Sequence, residues 1–112
     1  MGLFAAGQVV SLPFPFSDLS RDKPRPVLLL ADAGRADWIV CQITSNPYSA
    51  PRTLTLNQTD FAYGGIPHVS YIRPGKLFTA NELLIAVTLG SVRPAFLELV
   101  RQSVIEIIRQ TS

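Results

Sequence analysis

Arg25 stands between two prolines in the run Asp22-Lys23-Pro24-Arg25-Pro26, where two cations each precede a proline. A residue before proline is pushed out of the helical region, so Lys23 and Arg25 are predicted to project from an extended, stiffened segment. Arg25 also sits where this segment enters an apolar run, Val27 to Ala31, which lets its guanidinium be packed and aimed. A fixed guanidinium offers paired donors and a permanent charge, and that suits a phosphate. The other reading is a surface arginine paired with Asp18 or Asp22.

A second chemical feature lies at Gln42-Ile43-Thr44-Ser45-Asn46-Pro47, where an apolar strand pattern breaks into amides and hydroxyls. Alternation places Ile39, Cys41 and Ile43 on one face, with Trp38, Val40, Gln42 and Thr44 on the other. The end of a strand is a rigid mounting for a hydroxyl donor, although the same residues could simply close a turn. Other chemistries are excluded or weakened. His68 is the only histidine, so acid/base catalysis by two imidazoles is impossible, and its place beside Pro67 reads most plainly as structural. Cys41 is the only cysteine, which rules out an intrachain disulfide and a cysteine-rich zinc site. No pair of acids has metal-ligand spacing and no phosphate-cradling glycine loop is present, so neither metal nor cofactor is expected. Asp18, Asp22, Asp32, Asp37 and Asp60 read as turn formers.

The elements that must carry these groups fit a single domain spanning residues 1–112. Only 16% of the 112 residues are charged, against about 25% in ordinary domains, while 47% are apolar. Disorder is thereby excluded, and excess apolar surface is expected to be covered in a homodimer. The longest apolar run, Pro26 to Ala31, is far short of a membrane span, and a soluble cytoplasmic protein is expected. Net charge is +2, with seven basic and five acidic groups in residues 1–79 and three of each in residues 80–112. The basic surplus therefore lies on the part that carries Arg25.

Gln8 to Phe16 alternates as a strand whose Pro13 and Pro15 leave one edge without donors. Val27 to Asp32 and Ala36 to Ser45 form a hairpin across Asp32-Ala33-Gly34-Arg35. Arg52 to Leu56, Val69 to Ile72 and Ala86 to Leu89 are further strands, with Gly64-Gly65-Ile66-Pro67 and Pro74-Gly75 as turns. Thr79-Ala80-Asn81-Glu82 has the pattern of a capping box, with Phe78 and Leu83 as a staple, predicting a short helix from Ala80. Pro94 opens a C-terminal amphipathic helix with Leu97, Val100, Val104, Ile107 and Ile108 on its apolar stripe. The predicted fold is mainly β with α, a strongly bent antiparallel sheet of five or six strands plus the short helix and the C-terminal one.

Two stretches, Val9-Val10-Ser11-Leu12-Pro13-Phe14-Pro15-Phe16-Ser17-Asp18 and Lys23-Pro24-Arg25-Pro26-Val27-Leu28-Leu29-Leu30, resemble the opening of the MazF/PemK-like toxins of type II toxin-antitoxin systems. Ile43-Thr44-Ser45 is similar to the end of that family's third strand. Ser70-Tyr71-Ile72-Arg73-Pro74-Gly75-Lys76-Leu77-Phe78-Thr79 is similar to its later strand, and the likeness covers roughly residues 7 to 110. The resemblance implies an SH3-like barrel that dimerises and acts as a metal-independent endoribonuclease on single-stranded RNA. It implies Arg25 as the catalytic arginine and Thr44 as the catalytic hydroxyl, with Asp18, Arg21, Lys23, Ser45 and Lys76 as candidate substrate-binding residues.

In that family the substrate's own 2′-hydroxyl attacks the adjacent phosphorus, leaving a 2′,3′-cyclic phosphate and a 5′-hydroxyl. The implied partners are a cognate antitoxin with an acidic or disordered tail, and operator DNA only through the antitoxin complex. The chain departs from many relatives at Ser17 to Asp22 and at Arg73 to Lys76, so no RNA sequence preference is implied. Two other classes share the fold. One is a gyrase-poisoning toxin with a Trp-Gly-Ile-like end, which Arg109-Gln110-Thr111-Ser112 does not match; the other is a module that binds nucleic acid or protein without chemistry.

Overall fold

Seven strands pair antiparallel in one sheet, in the order β4-β6-β3-β2-β1-β7-β5, in a computed structural model that describes residues 3–13, 24–47 and 52–110. The strands are β1 (Gln8–Leu12), β2 (Arg25–Gly34), β3 (Asp37–Thr44), β4 (Leu54–Leu56), β5 (Phe61–Gly64), β6 (Ser70–Asn81) and β7 (Val87–Val92), followed by one helix, α1 (Pro94–Arg109). The sheet curls into a half-barrel with α1 on one side.

Alternation along β2 explains why both of its faces are buried. Leu28 and Leu30 join Val9, Cys41, Ile43 and Ile72 in the core beneath Phe96 and Val100 of α1. Val27 and Leu29 point the other way, into a second core with Val10, Leu12, Trp38 and Val40. The unbroken run Val27 to Leu30 is what a strand apolar on both faces requires. A register shift between Leu29 and Ala31 takes Leu30 out of the ladder with β3, and its carbonyl accepts Nε and Nη2 of Arg101 at 3.2 and 2.8 Å. Arg101, which lies off the expected apolar stripe, thus ties α1 to the central strand.

The β2–β3 hairpin forms as predicted, but its turn lies later, at Arg35-Ala36. Both residues have positive φ, 57° and 66°, which is the geometry of a two-residue type I′ turn, so β2 extends two residues beyond Asp32 while β3 starts one residue later than expected, at Asp37. The 14–16 portion of the strand predicted from Gln8 lies outside the described residues.

Three expectations are corrected. Pro74-Gly75 does not end a strand. β6 runs through it for 12 residues, and Pro74, Gly75 and Lys76 are accommodated between the pairs Gln42↔Arg73 and Cys41↔Leu77 as a bulge, a place where a missing backbone donor costs nothing. The short helix begins at Glu82 rather than Ala80 and is a single 3₁₀ turn, Glu82–Leu84, because Ala80 is held in the ladder opposite Trp38. Asn81, not Thr79, caps it by accepting from the Leu83 amide at 3.0 Å, and Leu83 is 94% exposed, so no staple forms. Finally, β5 was hidden by Gly64, by the glycine that follows the strand, Gly65, and by exposed Tyr63, and it makes the seventh strand.

Those glycines let β5 dock. Gly64 pairs with Gly90 of β7, and a Cβ on Gly90 would lie 2.6 Å from the Tyr63 carbonyl oxygen and 2.9 Å from the Gly65 amide. Backbone on both sides leaves nothing that can swing away. Gly90→Ala is therefore expected to destabilise the protein by about 1–3 kcal/mol, as overpacking does, measured as a lowered midpoint of calorimetric unfolding. An unchanged midpoint would mean that β5 and β7 separate without cost.

Candidate active site

Prolines open the cleft that holds the chemistry. The Leu29 carbonyl accepts from the Gly7 amide at 2.8 Å, so its hydrogen-bonding edge faces the β1 side, and strand alternation turns the edge of Pro26 toward β3. Pro26 has no N–H to give, and the β2–β3 ladder stops at Val27↔Gln42. Beyond that pair β2 still follows β1, through Leu12↔Arg25, while β3 follows β6, through Thr44↔Tyr71. The strand ends carrying Arg25 and Thr44 are held by different neighbours, with no ladder between them.

Their registration is nevertheless set. The pairs Val27↔Gln42 and Leu28↔Cys41 define a register that, continued two residues, brings Arg25 opposite Thr44. Residues opposite one another on antiparallel strands share a face. Both line one cleft of about 360 Å³, together with Ser45. That volume lies within the roughly 300–1,000 Å³ of small-ligand sites.

The hydroxyl and the cation have defined local roles. Thr44 Oγ1 accepts the Asn46 amide at 3.1 Å, a turn that uses the oxygen as acceptor and leaves its proton to be donated. Arg25 is half-buried, and the described residues lining the cleft include no carboxylate. Gln42, also in the cleft wall, accepts from Arg73 Nη1 at 3.1 Å, which fixes a second guanidinium one hydrogen bond away.

The sequence-marked residues separate into groups. Arg25, Thr44 and Ser45 are brought together. Lys76 is exposed in the β6 bulge and does not line the cleft. Asp18, Arg21 and Lys23 lie outside the described residues. His68 and Ser70, which the sequence reading did not single out for chemistry, line the same cleft. No local signal marked them: their place depends on β5 and β6 folding back toward β2, and a lone histidine after a proline carries no spacing to read.

Cys41 takes no part. It is buried in the core beside α1, where burial pushes its thiol up to about 12 against a lesser opposing effect of its hydrogen bond to the Arg73 carbonyl. Such a thiol is protonated and unreactive at neutral pH. Among the described residues no three His, Cys, Asp or Glu side chains cluster as a metal site would require, and no helix is long and apolar enough to cross a membrane.

A seven-stranded antiparallel half-barrel with one C-terminal helix packed on it is the architecture of the MazF fold. The solved structures it is similar to include an endoribonuclease from a mycobacterial species in complex with its cognate antitoxin, at 19% identity over 96% of each chain and a TM-score of 0.70. The Mycobacterium tuberculosis toxin MazF-mt6 is 15% identical over 94% of this chain and 99% of its own, with a TM-score of 0.69. The MazE-MazF complex from Deinococcus radiodurans matches at 20% identity over 95% of each chain and a TM-score of 0.69. No family model and no curated protein sequence matches the chain.

Proposed function

We propose that this protein is the toxin of a type II toxin-antitoxin system, a metal-independent endoribonuclease that cuts single-stranded RNA. The observation that carries the reading is the placement of Arg25 and Thr44, 19 residues apart in sequence, across one cleft of the half-barrel. The nuclease and antitoxin-complex descriptions of the proteins with this fold support it.

The reaction asks little of the protein's own side chains. The RNA 2′-oxygen attacks the adjacent phosphorus, the bond to the 5′-oxygen breaks, and a 2′,3′-cyclic phosphate and a 5′-hydroxyl result. Arg25 holds the phosphate with paired charged donors and offsets the charge that grows on its oxygens in the pentacovalent state. The Thr44 hydroxyl donates to a second non-bridging oxygen. Both act by orientation and electrostatics, and a single-stranded substrate is needed so that the 2′-oxygen can swing into line.

Purified protein in excess EDTA is expected to cut single-stranded RNA and leave cyclic-phosphate ends, detected by mass spectrometry of the fragments. RNA that stays intact, or cutting that requires added metal, would falsify this reading. Within it, Thr44→Ala is expected to lower the rate about 10²- to 10³-fold, as loss of one such donor does, while Thr44→Ser stays within a few-fold because it keeps the hydroxyl. Equal losses in the two variants, in single-turnover cleavage, would remove the hydroxyl from the chemistry.

The partners fit the same reading. The exposed apolar residues Ile108 (72%), Leu99 and Ile105 on α1 suit burial against a second copy. An acidic, disordered antitoxin tail suits a cleft that holds Arg25 and, among the described residues, no carboxylate. Sedimentation velocity tests the first, and sequencing the flanking DNA for a short acidic reading frame and co-expressing its product tests the second; a monomer, or toxicity that such a product does not relieve, counts against them.

A further inference from the structure

We propose that His68 is the general acid of the cleavage, giving its proton to the departing 5′-oxygen; the proposal rests on the RNA-cleavage reading above. Three observations lead to it. His68 lines the cleft shared by Arg25 and Thr44, the residue is exposed, and its imidazole makes no hydrogen bond to the described residues. Its backbone, by contrast, is fixed. The His68 carbonyl accepts the hydroxyl of buried Ser70 at 3.1 Å, and upstream the Gly65 amide donates to the Leu89 carbonyl at 3.1 Å while Gln58 Nε2 donates to the Gly64 carbonyl at 2.8 Å. Pro67 removes one backbone freedom immediately before it. The segment is therefore anchored at both ends and presents a free imidazole to the cleft.

Chemistry supplies the rest. Expulsion of an alkoxide from phosphorus is slow unless the oxygen is protonated as the bond breaks. A guanidinium and a threonine hydroxyl are both far too weak as acids for this step, and no carboxylate lines the cleft among the described residues. Imidazole is the side chain that exchanges a proton near neutral pH. Among the described residues lining the cleft with it, the charged group is Arg25 from β2, while β3 contributes neutral Gln42, Thr44 and Ser45, and β1 and β7 contribute Ser11 and Leu89.

The step balances. The 2′-oxygen bonds to phosphorus and loses its proton to water; the bond from phosphorus to the 5′-oxygen breaks, its electron pair stays on that oxygen, and the imidazolium proton completes the 5′-hydroxyl. Neutral His68 then takes a proton back from solvent.

A substrate that needs no protonated leaving group isolates this role. Once the cut site on a long single-stranded RNA has been mapped, an oligonucleotide carrying sulfur in place of the bridging 5′-oxygen at that site is compared with its all-oxygen counterpart under single-turnover conditions. His68→Ala and His68→Gln are expected to cut the oxygen substrate about 10²- to 10⁴-fold more slowly than the unaltered protein, and the sulfur substrate within a few-fold of it. Equal slowing on both substrates would assign His68 to binding or structure, and no slowing on either would remove it from the reaction; both results overturn the proposal while leaving the nuclease reading in place. An unaltered protein that cuts neither substrate overturns that reading, and the proposal with it.

Discussion

Arg25→Ala is expected to lower RNA cleavage about 10²- to 10³-fold while the far-ultraviolet circular dichroism of the protein stays unchanged. The loss arises in the chemical step, because the guanidinium's paired donors match the phosphate best when its oxygens carry the most charge. Arg25→Lys is expected to recover little. A lysine ammonium keeps the charge but places it at a single flexible point, whereas the cleft holds a planar donor between two prolines at the start of β2. Single-turnover rates at saturating protein separate this from a binding defect, which would disappear at high protein concentration. A lysine variant with full activity would show that only charge matters at this position, and an alanine variant within tenfold of the unaltered protein would remove Arg25 from the mechanism.

Leu28→Ala is expected to cost about 2–5 kcal/mol of stability, the range for deleting a fully buried leucine side chain. Leu28 has no exposed surface and lies on the helix-facing side of β2, in one core with Cys41, Ile43, Ile72 and Val100. The total for a domain of 112 residues is on the order of 6–17 kcal/mol, so one substitution removes a large share. The unfolding midpoint should fall by roughly 8–20 °C. Leu83→Ala provides the contrast. Leu83 is 94% exposed, and its loss is expected to change stability by no more than about 0.5 kcal/mol, measured by the same thermal unfolding. Comparable effects at the two positions would contradict the core described here.

Parts of the fold were legible because their signals are local. The branched runs on either side of residues 32–35 announced the β2–β3 hairpin, and Pro94 with its helical spacing announced α1, since a strand's alternation and a helix's period are written in neighbouring residues. The misread places are those where tertiary structure overrides a local cue. Pro74-Gly75 is a turn signal in isolation, yet the ladder to β3 on both sides of it carries the strand across as a bulge. Thr79 and Glu82 have capping-box spacing, yet pairing of Ala80 with Trp38 keeps the chain extended until Asn81.

The site divides in the same way. From residue types alone, the chain determined that Arg25 would lie on extended backbone between its flanking prolines, that Thr44 would stand at a strand end, and that chemistry based on paired histidines or clustered cysteines was closed to it. Whether those two groups meet was decided only by the fold. The register of β2 against β3 brings them opposite, Pro26 ends the ladder between them, and the docking of β5 against β7 through Gly64 and Gly90 delivers His68 to the same cleft. A sequence specifies backbone preference within a few residues, but separation in space between distant residues depends on register and sheet curvature, which the whole core sets together.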